Sequence, residues 1–183
     1  MLIGLMNLAS AFYVVHAQDV LLLPERAIGT FTIAFTVATI AASLALGALS
    51  ARRGPHAVIR VAAVAAIASP LYALAAHLAG SGWLVTAYPI VFAGLGIVNS
   101  TWIVGFANYT LELAPEGLHG AYIGVGNTVL GLLAVAPLLG GWLLEVSSYT
   151  VLFGLTTIGA IVGFVFSLRL EPATPPACDL DGA

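Results

Sequence analysis

The stretch GALSARRGPHAVIR, residues 47–60, holds three of the five basic residues of this chain. The other two are Arg26 and Arg169. Long apolar segments, residues 27–51 and 61–111, flank this cluster, and neither contains a charged side chain. A group of arginines between two such segments predicts a turn that connects two membrane-spanning helices.

The composition indicates that lipid, not water, is the main solvent of the chain. Of 183 residues, 61% are hydrophobic and 7% are charged, whereas roughly 25% are charged in ordinary soluble domains. The mean hydropathy is +1.08. The net charge of −3 is spread over loops and tail and does not favour nucleic acid as a partner. The single cysteine, Cys178, allows neither an internal disulfide nor a cysteine metal cluster.

The uncharged segments predict six membrane spans, because crossing the hydrocarbon core takes roughly 20 apolar helical residues. Segment 61–111 is long enough for two spans, and residues 79–82, Ala-Gly-Ser-Gly, predict the turn between them. The spans lie near residues 2–23, 28–50, 57–78, 83–107, 121–144 and 149–168. We therefore expect one transmembrane domain over residues 1–170 and a polar, disordered cytoplasmic tail over residues 171–183.

The arginines also predict the orientation of the chain. Six spans place both termini on one side of the membrane, together with the arginine turn and Arg169, while Arg26 falls on the other side. Since cytoplasmic loops carry an excess of Lys and Arg, we expect cytoplasmic termini and a location in the plasma (inner) membrane. An alternative role for these arginines is simple anchoring at lipid phosphates.

The arginine turn resembles the loop motif Gly-x-Leu-x-Asp-Arg-x-Gly-Arg-Arg/Lys of the major facilitator superfamily. Four positions match the motif: Gly47, Leu49, Arg52 and Gly54. Three positions depart from it: Ala51, Pro55 and His56. In that family the motif occurs twice and the second copy is the more degenerate, so the resemblance implies the carboxy-terminal half of a transporter.

Later residues resemble the same family. Segment 112–124 is similar to the loop before its eleventh helix, with His119 where arginine is usual, and Gly131, Pro137, Gly140 and Gly141 follow the pattern of that helix. The resemblance implies an all-α membrane protein that forms half of a major-facilitator bundle, built from two three-helix inverted repeats. It also implies a partner, either a second six-helix half or a second copy of the chain, because substrate binds between two halves.

Polar residues concentrate in the first, fourth and fifth predicted spans. Such side chains favour a bundle interior or a water-filled cavity, so we expect these three helices and the threonine-rich second helix to line a substrate pathway. The third and sixth helices are expected to face lipid. The pathway candidates are Asn7, Ser10, Tyr13, His16, Asn99, Trp102, Asn127 and Thr128. An alternative role for the amides of Asn7, Asn99 and Asn127 is a structural hydrogen bond between helices, worth on the order of 1 kcal/mol.

Opposite charges on the cytoplasmic side predict a latch between two turns. We expect Arg52 or Arg53 to pair with Glu112 or Glu116 in one transport state, and the family's loop motif acts in this way. The latch candidates are Gly47, Arg52, Arg53, Gly54, Glu112 and Glu116. Independent lipid anchoring of the arginines is the alternative.

The sequence does not favour an enzyme. It contains no Gly-x-Ser-x-Gly, and its four histidines lack metal-ligand spacing, so neither a cofactor nor a metal is expected. The favoured function is transport of a small solute by alternating access, and the alternative is a non-transporting scaffold or assembly subunit. No carboxylate lies deep in a span, so a coupling acid is expected mainly in the other half. His16 is the nearest local alternative, since histidine titrates near pH 6.5.

Overall fold

The computed structural model describes residues 2–101, 104–105, 114–115 and 117–168. These residues form eight α-helices and contain no strand, which confirms the all-α class for this part of the chain. Three helices, α2, α3 and α8, are long and apolar enough to cross a membrane. The helices are α1 (Leu2–Asp19), α2 (Arg26–Arg53), α3 (Pro55–Ala79), α4 (Gly82–Thr86), α5 (Pro89–Thr101), α6 (His119–Leu133), α7 (Ala136–Val146) and α8 (Tyr149–Leu168).

Two of the six predicted spans are divided at a proline. Pro89 begins α5 and separates it from α4, while Pro137 lies in the first turn of α7 and separates it from α6. Proline has no N–H for the helical ladder and its ring clashes with the carbonyl four residues earlier, so both helices restart there. Pro70, in contrast, lies inside the continuous helix α3.

One residue connects α2 to α3. Gly54 has φ 79° and ψ 166°, and its N–H donates to the carbonyl of Ser50 at 2.8 Å. This backbone conformation is essentially restricted to glycine. Pro55 follows as the first residue of α3, where its fixed φ suits a helix start and its missing N–H leaves no bond unmade. The Gly-Pro pair therefore reverses the chain within one residue.

Helix α3 lies at the centre of the described bundle and packs against α2, α5 and α8, while α1 packs against α7 and α8. The buried residues of α3 are mostly small, and five of them are alanines: Ala62, Ala63, Ala66, Ala73 and Ala76. In lipid, helices gain little from the hydrophobic effect and associate through close van der Waals contact. Small side chains on α3 allow that close approach.

The outer faces of α3 and α8 are apolar. Exposed side chains on these faces are Val61, Val64, Leu71 and Leu78 of α3 and Val151, Leu155, Ile158 and Val165 of α8. Hydrocarbon tails suit such surfaces, whereas the opposite faces of both helices belong to the packed core. The two helices predicted to face lipid therefore each combine a lipid-compatible face with a buried one.

Candidate functional site

The pathway candidates divide into buried and exposed groups. Tyr13 and His16 of α1 are buried, and Ser10 is half-buried. Asn99 on α5 and Asn127 and Thr128 on α6 are exposed. The side chain of Asn7 and the whole of Trp102 lie outside the described residues.

The side-chain amides of Asn99 and Asn127 have no hydrogen-bond partner within the described part of the chain. Thr128, on the same helix as Asn127, donates its hydroxyl to the carbonyl of Gly124 at 2.9 Å and is thereby satisfied locally. An amide has two donors and an acceptor that local helix geometry cannot fully satisfy. The two asparagines therefore present unmet hydrogen-bonding groups at the surface of an otherwise apolar bundle.

Five histidine and tyrosine side chains meet at the end of the bundle opposite the arginine turn. His16 Nε2 lies 3.1 Å from His77 Nδ1, and His16 Nδ1 lies 3.1 Å from the hydroxyl of Tyr88. His77 is in the last turn of α3, about 35 Å along that helix from the Gly54 turn at 1.5 Å per residue. We call Tyr13, His16, His77, Tyr88, Tyr149 and Phe153 the histidine cluster.

The hydrogen bonds of the histidine cluster run in one direction. The hydroxyl of Tyr88 donates its only proton to the backbone carbonyl of Tyr13 at 3.2 Å. Its oxygen must then accept from His16 Nδ1–H, which makes Nε2 of the neutral His16 ring an acceptor. His77 consequently donates its Nδ1–H to His16. The tautomers of both imidazoles follow from this single chain of donors.

Aromatic rings surround His16, which is completely buried. Its ring lies edge-on to those of Tyr149 and Phe153, with centroid distances of 5.0 and 5.1 Å. Phe153 in turn stacks on Tyr13 at 5.2 Å. Side chains from α1, α3 and α8, together with Tyr88 just before α5, thus fix the orientation of one imidazole.

Sequence reasoning identified Tyr13 and His16 but missed their partners. His77 and His16 are 61 residues apart, and no motif or spacing connects them. The one available signal was position, since His16 and His77 both lie in the last turn of their helices. Helix α2 runs between α1 and α3 and so returns both helix ends to the same end of the bundle, but the two side chains meet only if the rotations of α1 and α3 also agree.

Of the two turns in the predicted latch, the structure describes the arginine turn but not the glutamates of the other turn. Arg52 and Arg53 are exposed at the end of α2, Gly47 is half-buried, and Gly54 forms the connection described above. Glu112 and Glu116 lie outside the described residues. The predicted latch therefore remains a prediction.

An apolar helical bundle with lipid-compatible outer faces defines an integral membrane protein. The family model described as Major Facilitator Superfamily matches residues 1–180, and the chain belongs to that superfamily. Its members are transporters, so a general transport role follows from membership. No curated protein and no solved structure matches the chain.

Proposed function

We propose that this chain transports a small solute by alternating access, as the carboxy-terminal half of a major-facilitator-type transporter that a second six-helix half completes. Superfamily membership supports transport. Rocking about a central site needs two opposed halves. A further segment of chain, another polypeptide or a second copy could supply the other half.

The observation that carries the proposal is the pair of unpartnered amides, Asn99 on α5 and Asn127 on α6. Lipid tails offer no hydrogen bonds, so an exposed amide at membrane depth faces water or another polar surface. Such a surface is what a solute pathway between two halves provides. In this proposal the faces of α5 and α6 that carry the amides line the pathway.

Cysteine labelling tests this assignment. In a Cys178→Ser background, Asn99→Cys and Asn127→Cys are treated with a charged, membrane-impermeant thiol reagent in proteoliposomes. Because only the hydrated thiolate reacts, both positions should be modified. Leu71→Cys and Ile158→Cys, on the apolar outer faces of α3 and α8, are the matched controls and should remain unmodified.

Uptake of a panel of labelled solutes, with and without a second six-helix half, then measures transport directly. Solute accumulation that depends on both halves is the expected result. If Asn99→Cys and Asn127→Cys resist the reagent as Leu71→Cys does, and no solute enters, the chain has a dry interior. The scaffold function would then replace the transport proposal.

A further inference from the structure

The histidine cluster contains a proton acceptor that its neighbours have already oriented. The hydroxyl oxygen of Tyr88 accepts a hydrogen bond from His16 Nδ1–H, so His16 Nε2 presents its lone pair to His77. His77 is only half-buried, whereas His16 is fully buried. Water at this end of the bundle can therefore reach His77, and His77 Nε2 accepts no hydrogen bond from the described residues.

A first proton is favoured at His77. Adding it at Nε2 leaves Nδ1–H in place, so the imidazolium still donates to His16 Nε2 at the observed 3.1 Å contact. A hydrogen bond from a charged donor is shorter and roughly twice as strong as its neutral equivalent. The bond between α1 and α3 is therefore tighter with the proton than without it.

A second proton is opposed at the same site. It could bind only at His16 Nε2, where it would remove the acceptor of the existing bond and create two like charges about one hydrogen bond apart. His16 is also buried among aromatic rings, where an additional charge loses its hydration. The histidine pair therefore binds one additional proton, and the binding of a second is unfavourable.

We propose that His16 and His77 form a binding site for a single proton taken up from the aqueous side at this end of the bundle, with His77 as the carrier and His16 as the oriented acceptor. A role for this proton as the coupling ion rests on the proposed transport function. Proton binding itself does not depend on that function.

The charges around the pair favour a cation. The titratable side chains that face the pair are Tyr13 from α1, Tyr149 from α8 and Tyr88 from just before α5, and Asp19 at the end of α1 lies near enough to act on Tyr149. Three exposed carboxylates and one exposed arginine lie at the helix ends and turns at this end of the described chain: Asp19, Glu25, Glu145 and Arg26. Their summed field is negative and attracts a proton.

The test is nuclear magnetic resonance of the full chain in micelles with nitrogen-15-labelled histidine, titrated across the histidine range around pH 6.5. The variants His56→Gln and His119→Gln assign the two imidazoles outside the cluster. We expect His77 to become imidazolium while His16 stays neutral with its proton on Nδ1. Charging of both rings over the same pH interval would overturn the proposal.

Tyr88→Phe tests whether the orientation of His16 matters. The variant keeps the ring that packs against Phe31 and Phe92 and removes the hydroxyl. The buried Nδ1–H then loses its acceptor in the protonated state, while the neutral pair can exchange tautomers. We expect the proton affinity of the pair to fall about fivefold, the factor that one lost hydrogen bond produces.

Tyr72→Phe is the matched control, because its hydroxyl donates to the carbonyl of Leu84 instead, at 3.1 Å. It should leave the proton affinity unchanged. Equal affinities for Tyr88→Phe and the unsubstituted chain would contradict the proposal. Since solute uptake is not part of this measurement, a protein that binds the proton without transporting, or transports without binding it, separates this inference from the proposed function.

Discussion

Gly96 of α5 lies directly against the backbone of α2 at Phe35. A Cβ built on Gly96 would meet the carbonyl oxygen of Phe35 at 2.5 Å and the backbone N of Thr39 at 3.0 Å. The hydroxyl of Thr39 bonds the carbonyl of Phe35 at 2.8 Å, and the carbonyl of Gly96 at 3.3 Å. The absence of a side chain at one position thus permits this helix crossing.

We expect Gly96→Ala to destabilise the bundle by about 1–3 kcal/mol, the usual effect of overpacking a tight contact. Backbone atoms cannot rotate aside as a flexible side chain can. Thermal unfolding in detergent micelles measures the effect. Gly29→Ala on α2 is the control, because no heavy atom lies within 4 Å of its added Cβ, and a stability equal to that control would contradict this contact.

Gly94, on the same helix, contacts a side chain rather than backbone. A Cβ at Gly94 would clash with the hydroxyl oxygen of Ser69 on α3. That hydroxyl donates towards the carbonyls of Ala65 and Val91, at 3.2 and 3.3 Å. These four residues couple the packing of α3 to that of α5.

Gly94→Ala should therefore destabilise the protein, and Ser69→Ala in the same molecule should restore part of the loss. Removing the Ser69 hydroxyl alone costs about 0.5–1.5 kcal/mol, the net worth of one hydrogen bond. A double-mutant cycle on unfolding free energies is the measurement. Additive effects of the two substitutions would mean that the Gly94 and Ser69 positions do not interact.

The backbone at Gly54 predicts a contrast with Gly80. Gly80 has φ 57° and ψ 12°, within the left-handed helical region that asparagine tolerates, whereas Gly54 has ψ 166°. Gly54→Asn should cost about 1–3 kcal/mol of unfolding free energy because of backbone strain. Gly80→Asn should change stability by less than that, and equal losses in thermal unfolding would contradict the strain assigned to Gly54.

Charge reversal tests the predicted latch. Reversing Glu112 and Glu116 should alter the labelling rate of a cysteine placed at Ala51, in the Cys178→Ser background. Reversing Arg52 and Arg53 as well should partly restore it. An exposed ion pair contributes only about 0–1 kcal/mol, so the expected change is a few-fold at most. Simple addition of the two effects would identify the arginines as independent anchors.

Local chemistry could be predicted from the sequence, while side-chain partnerships could not. The arginine turn was visible because a Gly-Pro pair and three arginines interrupt an uncharged region, and these residues act through their immediate neighbours. Pro70 and Pro89 show the limit of such reasoning. Both lie in apolar segments, yet α3 continues through Pro70 and α5 begins only at Pro89. A proline inside a membrane helix is tolerated where neighbouring groups satisfy the freed backbone carbonyl, and the local sequence does not specify those groups.

The histidine cluster shows the same limit for the site. A pattern of polar residues can indicate which residues of an apolar helix are candidates for a polar site, as it did for Tyr13 and His16. It does not specify the rotation of α3 relative to α1, on which the contact between His16 and His77 depends. The exposed positions of Asn99 and Asn127 likewise depend on how α5 and α6 turn within the bundle.

The position of His16 also affects the biogenesis of the protein. If α1 is a membrane span, as the six-span prediction expects, it enters the membrane with this polar ring before its hydrogen-bonding partners His77 and Tyr88 have been synthesised. A polar side chain without partners is unfavourable in hydrocarbon. We then expect α1 to remain at the insertion machinery, or to keep its end at the water interface, until α3 and α5 arrive. Assembly of the bundle is thereby linked to the order of synthesis.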